Sequence, residues 1–309
     1  MNVAVLSGGV GGARFLRGLL GVVEPGNVSI VGNVADDIEV LGLRVSPDLD
    51  SILYTLTGLS DEERGWGRAG ETWQALETVA RLDGESWFKL GDRDIGLHLV
   101  RTELLRNGVT LTQATERIAR ALGLEARLLP ATDDPVRTFL ETPDGTFPFQ
   151  TWFVARGHRD EVDAVHYAGA PEAAAAPGVL EALGEADLIL IAPSNPYVSI
   201  GPILAVAEIR AALDHRTVPC VAISPLIGGR AVKGPADRML RRLAGGTTPA
   251  YVASCYEGLI DVLVIDELDE AAGPVPGLKQ TVITKTLMSD ESAARKLAAA
   301  AVHSAGALA

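Results

Sequence analysis

Residues 3–6, VAVL, run apolar without alternation, and Gly8, Gly9, Gly11 and Gly12 follow before an amphipathic stretch over residues 13–23. A strand buried on both faces, then a flexible turn, then a helix is the opening of a parallel β–α unit. The same alternation returns in the second half of the chain. Residues 187–192, 218–223 and 260–265 read as strands, with helices over 202–213 and 235–243 between them. The expected fold class is therefore α/β, a Rossmann-like, doubly wound, mostly parallel sheet.

The middle of the chain has a different rhythm. Residues 28–31 read as a second strand, and Ser46-Pro47 suits the cap and first turn of a helix over 47–57. Residues 71–82, 95–107 and 112–122 read as helices, the last capped by Thr110 and Gln113. Segments 136–142 and 147–154 flank a Pro-Asp-Gly turn and read as a hairpin, with a further strand at 163–167 and a helical tail over 290–309. The expected organisation is a nucleotide-binding core from residues 1–50 and 178–309, with 51–177 as an inserted helical and hairpin region.

The first strand-to-helix turn of such a sheet lies at its carboxyl edge, where ligands bind. Glycine lets backbone N–H groups approach a phosphate, and the helix N-terminus adds partial positive charge. The turn thus suits a phosphorylated ligand, although a tight turn with no ligand has the same composition. A dinucleotide fingerprint does not fit from Gly9, because its third glycine position is Arg14. The second strand runs to Asn33 and not to a ribose-binding acid, and no Gly-Lys-Ser/Thr follows the glycines.

The formal net charge of −13 argues against a general nucleic-acid or anionic-membrane surface. An anionic ligand must be held locally. Asp36 and Asp37 follow the second strand, and Asp48 and Asp50 flank Leu49 at a helix start. Paired carboxylates with substrate phosphates suit Mg²⁺, and helix capping by solvated acids is the plainer alternative. Lys89, Asp92, Arg93 and Asp94 surround Gly91, where Arg93 can clamp a phosphate or a planar ligand, or join a surface ion network. His98, inside the following helix, reads as packed. Ser194, Asn195, Ser199 and Gly201 follow one strand, and Gly228, Gly229, Arg230 and Lys233 follow the next.

Cys220 and Cys255 show no disulfide or zinc spacing, which suits a reducing cytoplasm. No apolar run approaches the ~20 residues of a membrane span, and the N-terminus does not read as a signal peptide.

The motifs GGVGGARF, N-x-x-D-D, SPDLDS, KLGDRD, ATDDPVRT, PSNPYVSIGPI and SPLIGG occur in that order. Together they resemble the 2-phospho-L-lactate transferase family of coenzyme F-420 biosynthesis, including its bacterial phosphoenolpyruvate-transferring members. The resemblance runs from Met1 to about Asp269. It implies transfer of a phospholactyl or phosphoenolpyruvyl group from a guanosine diphosphate-linked donor to the ribityl hydroxyl of the deazaflavin Fo. GMP is released, and F-420-0 or its dehydro form results. It implies Mg²⁺ dependence and a homodimer. Asp37, Asp48 and Asp50 are then the expected metal ligands, and Asp50, Asp92 and Arg93 the Fo-binding residues. Asp50, Asp37 and Arg93 are the expected catalytic residues. The nucleotide is expected on Gly8, Gly9, Gly11, Gly12, Ser194, Asn195, Ser199 and Gly228. Two other readings are a nicotinamide-dependent oxidoreductase, which lacks its fingerprint here, and a non-catalytic nucleotide-binding module of the gluconeogenesis-factor type.

Overall fold

In a computed structural model that describes residues 1–306, the chain opens with β1 (Val3–Ser7), α1 (Gly9–Leu20) and β2 (Val28–Gly32). A small hairpin of β3 (Ile38–Val40) and β4 (Leu43–Val45) precedes α2 (Pro47–Leu56), α3 (Gln74–Arg81), α4 (Asp92–Arg106) and α5 (Leu111–Ala121). Then come β5 (Arg127–Pro130), β6 (Arg137–Thr142), β7 (Gly145–Pro148), a π-helical turn at Thr151–Ala155 and β8 (Ala164–Ala168). The second half runs α6 (Val179–Gly184), β9 (Leu188–Ile191), a π-helical turn at Pro196–Ile200, α7 (Gly201–Leu204), α8 (Ala207–Asp214) and β10 (Cys220–Ile223). It ends with β11 (Leu226–Ile227), β12 (Arg230–Ala231), α9 (Ala236–Leu243), α10 (Pro249–Ser254), β13 (Val262–Asp266), β14 (Gln280–Thr284) and α11 (Glu291–Gly306).

The seven-stranded sheet has the order β14-β13-β10-β9-β1-β2-β5 and every pairing in it is parallel. Alternate residues of β1 feed different layers. Val3 and Val5 pack with Phe15 and Leu16 of α1 and Leu297 of α11, whereas Ala4 and Leu6 pack with Val179 and Ile209 on the other face. A Cβ on Gly18 would stand 2.3 Å from the Ala294 carbonyl carbon, so glycine there lets α1 and α11 lie in close contact.

From β1 the chain winds toward β2 on one side and later returns to β9 on the other. β1 is therefore the switch point, and ligands of such sheets bind at the carboxyl ends of the strands around it. The register pairs Ser7 with Gly32 and Leu6 with Ile191, which brings Gly8, Asn33 and the loop after Ala192 to one edge.

Several elements differ from the sequence expectation. β5 lies within the 51–177 segment but forms an edge of the main sheet, so that segment is not wholly inserted. Helix α1 starts within the glycine turn, at Gly9. The helix expected over 202–213 is split between α7 and α8, and β14 forms the opposite sheet edge. The three-stranded sheet β7-β6-β8 contains a hairpin at the expected place, but its second strand ends at Pro148 and the rest of the stretch expected as strand, to residue 154, enters the π-helical turn; the Thr110–Gln113 capping box is present. The tail helix holds through Gly306, and its expected last residues, 307–309, lie outside those described. Among the described residues no single helix is long and apolar enough to cross a membrane.

Candidate active site

The glycines of the first turn do two different jobs. Gly8, Gly9 and Gly11 line a cleft of about 810 Å³ at the carboxyl edge of the sheet. Gly9 has φ +66°, in the left-handed region where α1 begins. A Cβ on Gly8 would lie 2.5 Å from Asp48 Oδ2, 2.9 Å from Ser199 Cβ and 3.3 Å from Asn33 Cβ, so three segments close on this turn. Gly12 is buried beneath it: a Cβ there would meet Ser7 Oγ at 2.3 Å and Ser194 Oγ at 2.6 Å. It is a packing residue and does not line the cleft. Ser194 Oγ donates to the Gly8 carbonyl at 2.7 Å and joins the β9 loop to the turn.

The acidic residues form two groups. Asp36 and Asp48 line the cleft beside the glycines. Asn33 Nδ2 donates to Asp48 Oδ2 at 2.9 Å, while Asp36 Oδ1 is buried with no hydrogen-bond partner. Burial, then repulsion from Asp48, raises the Asp36 carboxyl well above the usual range. Burial pushes Asp48 up to about 6 against the opposing hydrogen bonds from Asn33 and the Gly9 amide. An orphaned carboxylate oxygen beside a second carboxylate, under a helix N-terminus, fits a hard divalent cation that completes its coordination with phosphate oxygens. Among the described residues no group of three or more His, Cys, Asp or Glu side chains converges as a ready-made metal cage.

Asp50 sits differently. Its Oδ2 accepts from Arg101 Nη1 at 2.9 Å and from the Ser46 amide at 3.3 Å, while its Oδ1 accepts from Arg101 Nη2. Both of its oxygens are thus engaged by protein groups, in an ion pair with a buried guanidinium. Burial opposes the charge on Arg101, but attraction and hydrogen bonds from Asp50 outweigh it and raise the pKa. Asp37 Oδ2 accepts from Ser46 Oγ at 2.7 Å, and Asp37 stands behind the cleft lining. Burial pushes it up to about 7.

The network continues from Asp50. His98 Nδ1 lies 3.4 Å from Arg101 Nη1, and its Nε2 lies 3.3 Å from Asp94 Oδ1. Tyr54 donates its hydroxyl to the same Asp94 oxygen. Burial works to raise Asp94, but hydrogen bonds from His98 and Tyr54 and the nearby Arg101 bring it below its ordinary value. Asp50, Tyr54, Asp94 and His98 line the cleft, so His98 is both packed and part of the site wall. Arg101 and Tyr54 were not singled out by sequence. Arg101 lies in LVRTELL, where a charged residue at helical spacing looks solvent-facing, yet it is wholly buried.

Three expected residues are placed elsewhere. Asp92 and Arg93 do not line the cleft. Asp92 accepts from the Gln74 amide at 3.1 Å, the Ala75 amide at 3.0 Å and the Thr72 hydroxyl, and so holds the start of α3. Arg93 is exposed, and its amide donates to Glu71 Oε2 at 2.8 Å. Of the same motif Lys89 and Asp94 do line the cleft, as do Arg14 and Lys233. Gly228 is also diverted: its amide donates to Asp269 Oδ2 at 2.9 Å, and that of Gly229 donates to Asp269 Oδ1 at 2.9 Å. Ser194, Asn195 and Ser199 line the cleft as expected, with Asn195 Oδ1 accepting from the Tyr197 amide at 2.9 Å.

A family model described as 2-phospho-L-lactate transferase CofD matches residues 3–303. Similar curated proteins include the phosphoenolpyruvate transferase of Streptomyces griseus subsp. griseus, 45% identical over 278 residues, which cover 88% of this chain and 87% of that one. The phosphoenolpyruvate transferase of Thermobifida fusca is 42% identical, covering 98% of this chain and 97% of its own. That of Mycobacterium tuberculosis is 40% identical over the whole of both chains. A solved structure, a UPF0052 family protein from Bacillus halodurans, superposes with a TM-score of 0.62 over 97% of this chain and 98% of its own at 19% identity, a likeness of fold.

Proposed function

Because the chain belongs to the 2-phospho-L-lactate transferase family, we propose that it transfers a phosphoenolpyruvyl group from a guanosine diphosphate-linked donor to the ribityl hydroxyl of the deazaflavin Fo. The transferase activity and the place in coenzyme F-420 biosynthesis go with the family. The enolpyruvyl donor is preferred to the lactyl one because the similar curated proteins are named phosphoenolpyruvate transferases. The observation that carries the reading is the meeting of Asp36, Asp48 and the glycine turn on one cleft wall, with Lys89 and the Tyr54–Asp94–His98 group also on its lining.

The chemistry is a displacement at phosphorus. The ribityl oxygen forms a bond to the phosphorus that carries the enolpyruvyl group, the bond from that phosphorus to the bridging oxygen breaks, and GMP leaves with that oxygen. The hydroxyl proton passes to a carboxylate of the cleft floor. Such reactions depend on in-line positioning and on neutralising charge. The Gly9 and Gly11 turn and the N-terminus of α1 hold the diphosphate, and Ser194 and Ser199 complete that side. Arg14 and Lys233 offset the donor's negative charge, and Lys89 serves the acceptor. Arg101 fixes Asp50, and through His98 the orientation of Asp94, on the acceptor side.

Mg²⁺ is the cation that this reading adds. Asp36 and Asp48 would hold it with the donor's phosphate oxygens, and bound there it supplies charge stabilisation for the transferring group. Incubation with Fo and either the enolpyruvyl or the lactyl donor, followed by product mass, tests the assignment. The dehydro product should form faster than its saturated counterpart. Turnover of neither donor, with nucleotide binding intact, would leave the non-catalytic nucleotide-binding reading.

A further inference from the structure

The turn at Gly228–Gly229 holds a carboxylate of the protein itself, one to which the proposed reaction has so far given no role. Strands β11 and β12 pair antiparallel, Leu226 with Ala231 and Ile227 with Arg230, so Gly228 and Gly229 form a two-residue turn. Their φ values of +57° and +68° suit a type I′ turn, which needs left-handed backbone at both positions. The amide of Gly228 donates to Asp269 Oδ2 and that of Gly229 to Asp269 Oδ1, each at 2.9 Å. Asp269 stands in the 3₁₀ turn Glu267–Ala272 that follows β13, and it is largely buried. Burial raises its pKa against the two amide hydrogen bonds, and Asp266 adds repulsion. Asp266 serves a different loop: its Oδ2 accepts from the Thr286 amide at 2.8 Å and from the Thr286 hydroxyl at 3.0 Å. Both oxygens of Asp269 are thus given to one turn.

The hairpin needs that hold. Strands of two residues each do not sustain a hairpin alone, and hydrogen bonds to a carboxylate are about twice as strong as neutral ones. Beyond β12 the chain runs into Val232 and Lys233, both exposed and both on the cleft lining, before α9 begins at Ala236. A Cβ on Gly65 would stand 2.3 Å from Lys233 Nζ, and Gly65, in the loop between α2 and α3, also lines the cleft. An exposed lysine has many rotamers, so the place its ammonium occupies depends on where its backbone is fixed. We propose that Asp269 is a positioning residue of the transferase: it clasps the Gly228–Gly229 turn and so sets Lys233 at the cleft beside Gly65. This rests on the part of Lys233 in offsetting the donor's charge under the proposed function. Asp269 acts only through the hairpin, since it does not itself line the cleft.

The test is steady-state turnover of Fo and the enolpyruvyl diphosphoguanosine donor, with Mg²⁺, by the full-length protein and its Asp269→Asn, Lys233→Ala and doubly substituted variants, each first checked for a folded melting profile. Asparagine keeps one acceptor oxygen but turns an NH₂ group toward the second amide, so the turn loses its two-toothed hold with little change in volume. Asp269→Asn should raise the donor KM about 10-fold and leave kcat and the KM of Fo within about twofold, the pattern of lost binding and not of lost chemistry. Lys233→Ala should do the same. The double variant should be no worse than Lys233→Ala alone, because that change removes the group that Asp269 positions. Should Asp269→Asn fail to fold, Asp269→Glu, which shifts both oxygens by one methylene, gives the same comparison. An unchanged donor KM in a folded Asp269→Asn protein, or a double variant raised by the product of the two single changes, would overturn the clasp while leaving the transferase reading intact. Lys233→Ala with the donor KM of the parent would overturn it by removing the lysine's part. No turnover by the unaltered protein would overturn the transferase reading and the positioning role together.

Discussion

Asp50 in the first turn of α2 and Arg101 in α4 form a two-toothed ion pair in which both groups are almost wholly buried. Breaking such a pair from one side leaves a buried charge without compensation, a loss of about 3–5 kcal/mol. Arg101→Met should therefore lower unfolding free energy by that order in urea titration, and the Asp50→Asn, Arg101→Met double variant should recover part of it. A single variant as stable as the parent would show that the pair does not hold α2 to α4.

The raised carboxyls predict an unusual pH profile for the metal-free protein. Asp37 is raised to about 7 and Asp48 to about 6 from the model-compound value of 3.8. Between those limits the folded state binds protons that the unfolded chain has released. Their stabilising contribution is present below the unfolded pKa and is lost as pH rises through 6 to 7. In EDTA the melting temperature should fall between pH 5 and pH 8, and Asp37→Asn should flatten the fall. A slope unaffected by that substitution would remove Asp37 as its source.

Gly8→Ala tests the close approach at the turn. The new Cβ would press on Asp48 Oδ2 at 2.5 Å and Ser199 Cβ at 2.9 Å, on two sides of the donor site. Donor affinity should drop at least about 10-fold, with Fo binding little changed. Gly12→Ala differs, because its Cβ meets Ser7 and Ser194 beneath the turn, and it should mainly lower the melting temperature.

Lys89→Ala should weaken Fo binding about 10-fold, the order of one charge-assisted hydrogen bond. Arg93→Ala should change it less than about twofold, since Arg93 is exposed outside the cleft lining. Fluorescence titration of the two variants side by side separates them, and the reverse ranking would restore the assignment suggested by the motif.

That contrast shows what was legible in the sequence. The alternating strands and helices, the glycine turn and the Asp36–Asp50 segment were readable because burial on both sheet faces and the backbone demands of a tight turn leave compositional marks. β5 left almost none: RLLP is short, begins with an exposed arginine and ends in proline. β14, QTVIT, is a half-exposed edge strand without a continuous apolar run. Side-chain direction was the larger loss. Asp92 and Arg93 share a motif with Lys89, but at the helix start Asp92 turns to the amides of α3 and Arg93 lies beside Gly70, while Arg101, about two and a half turns on, points inward to Asp50. Spacing gave no means to tell these arginines apart, because a buried ion pair depends on a partner 51 positions away.

The proposed Mg²⁺ dependence is tied to the two carboxylates beside the glycine turn. Asp36→Asn and Asp48→Asn should each reduce turnover by at least about 100-fold, the scale of a lost electrostatic contact to the transferring group. Both should remain folded, because neutralising two mutually repelling buried acids relieves strain in the metal-free state. Activity within about twofold of the parent in either variant would clear that residue from the site.

The most direct test of the whole account is a quantitative turnover with Fo and the enolpyruvyl diphosphoguanosine donor, measuring GMP and deazaflavin product together. The account predicts GMP and dehydro-F-420-0 in equal amounts, none of either without Fo, and arrest of both by EDTA with recovery on adding Mg²⁺. GMP released without Fo, or undiminished product in excess EDTA, would contradict it.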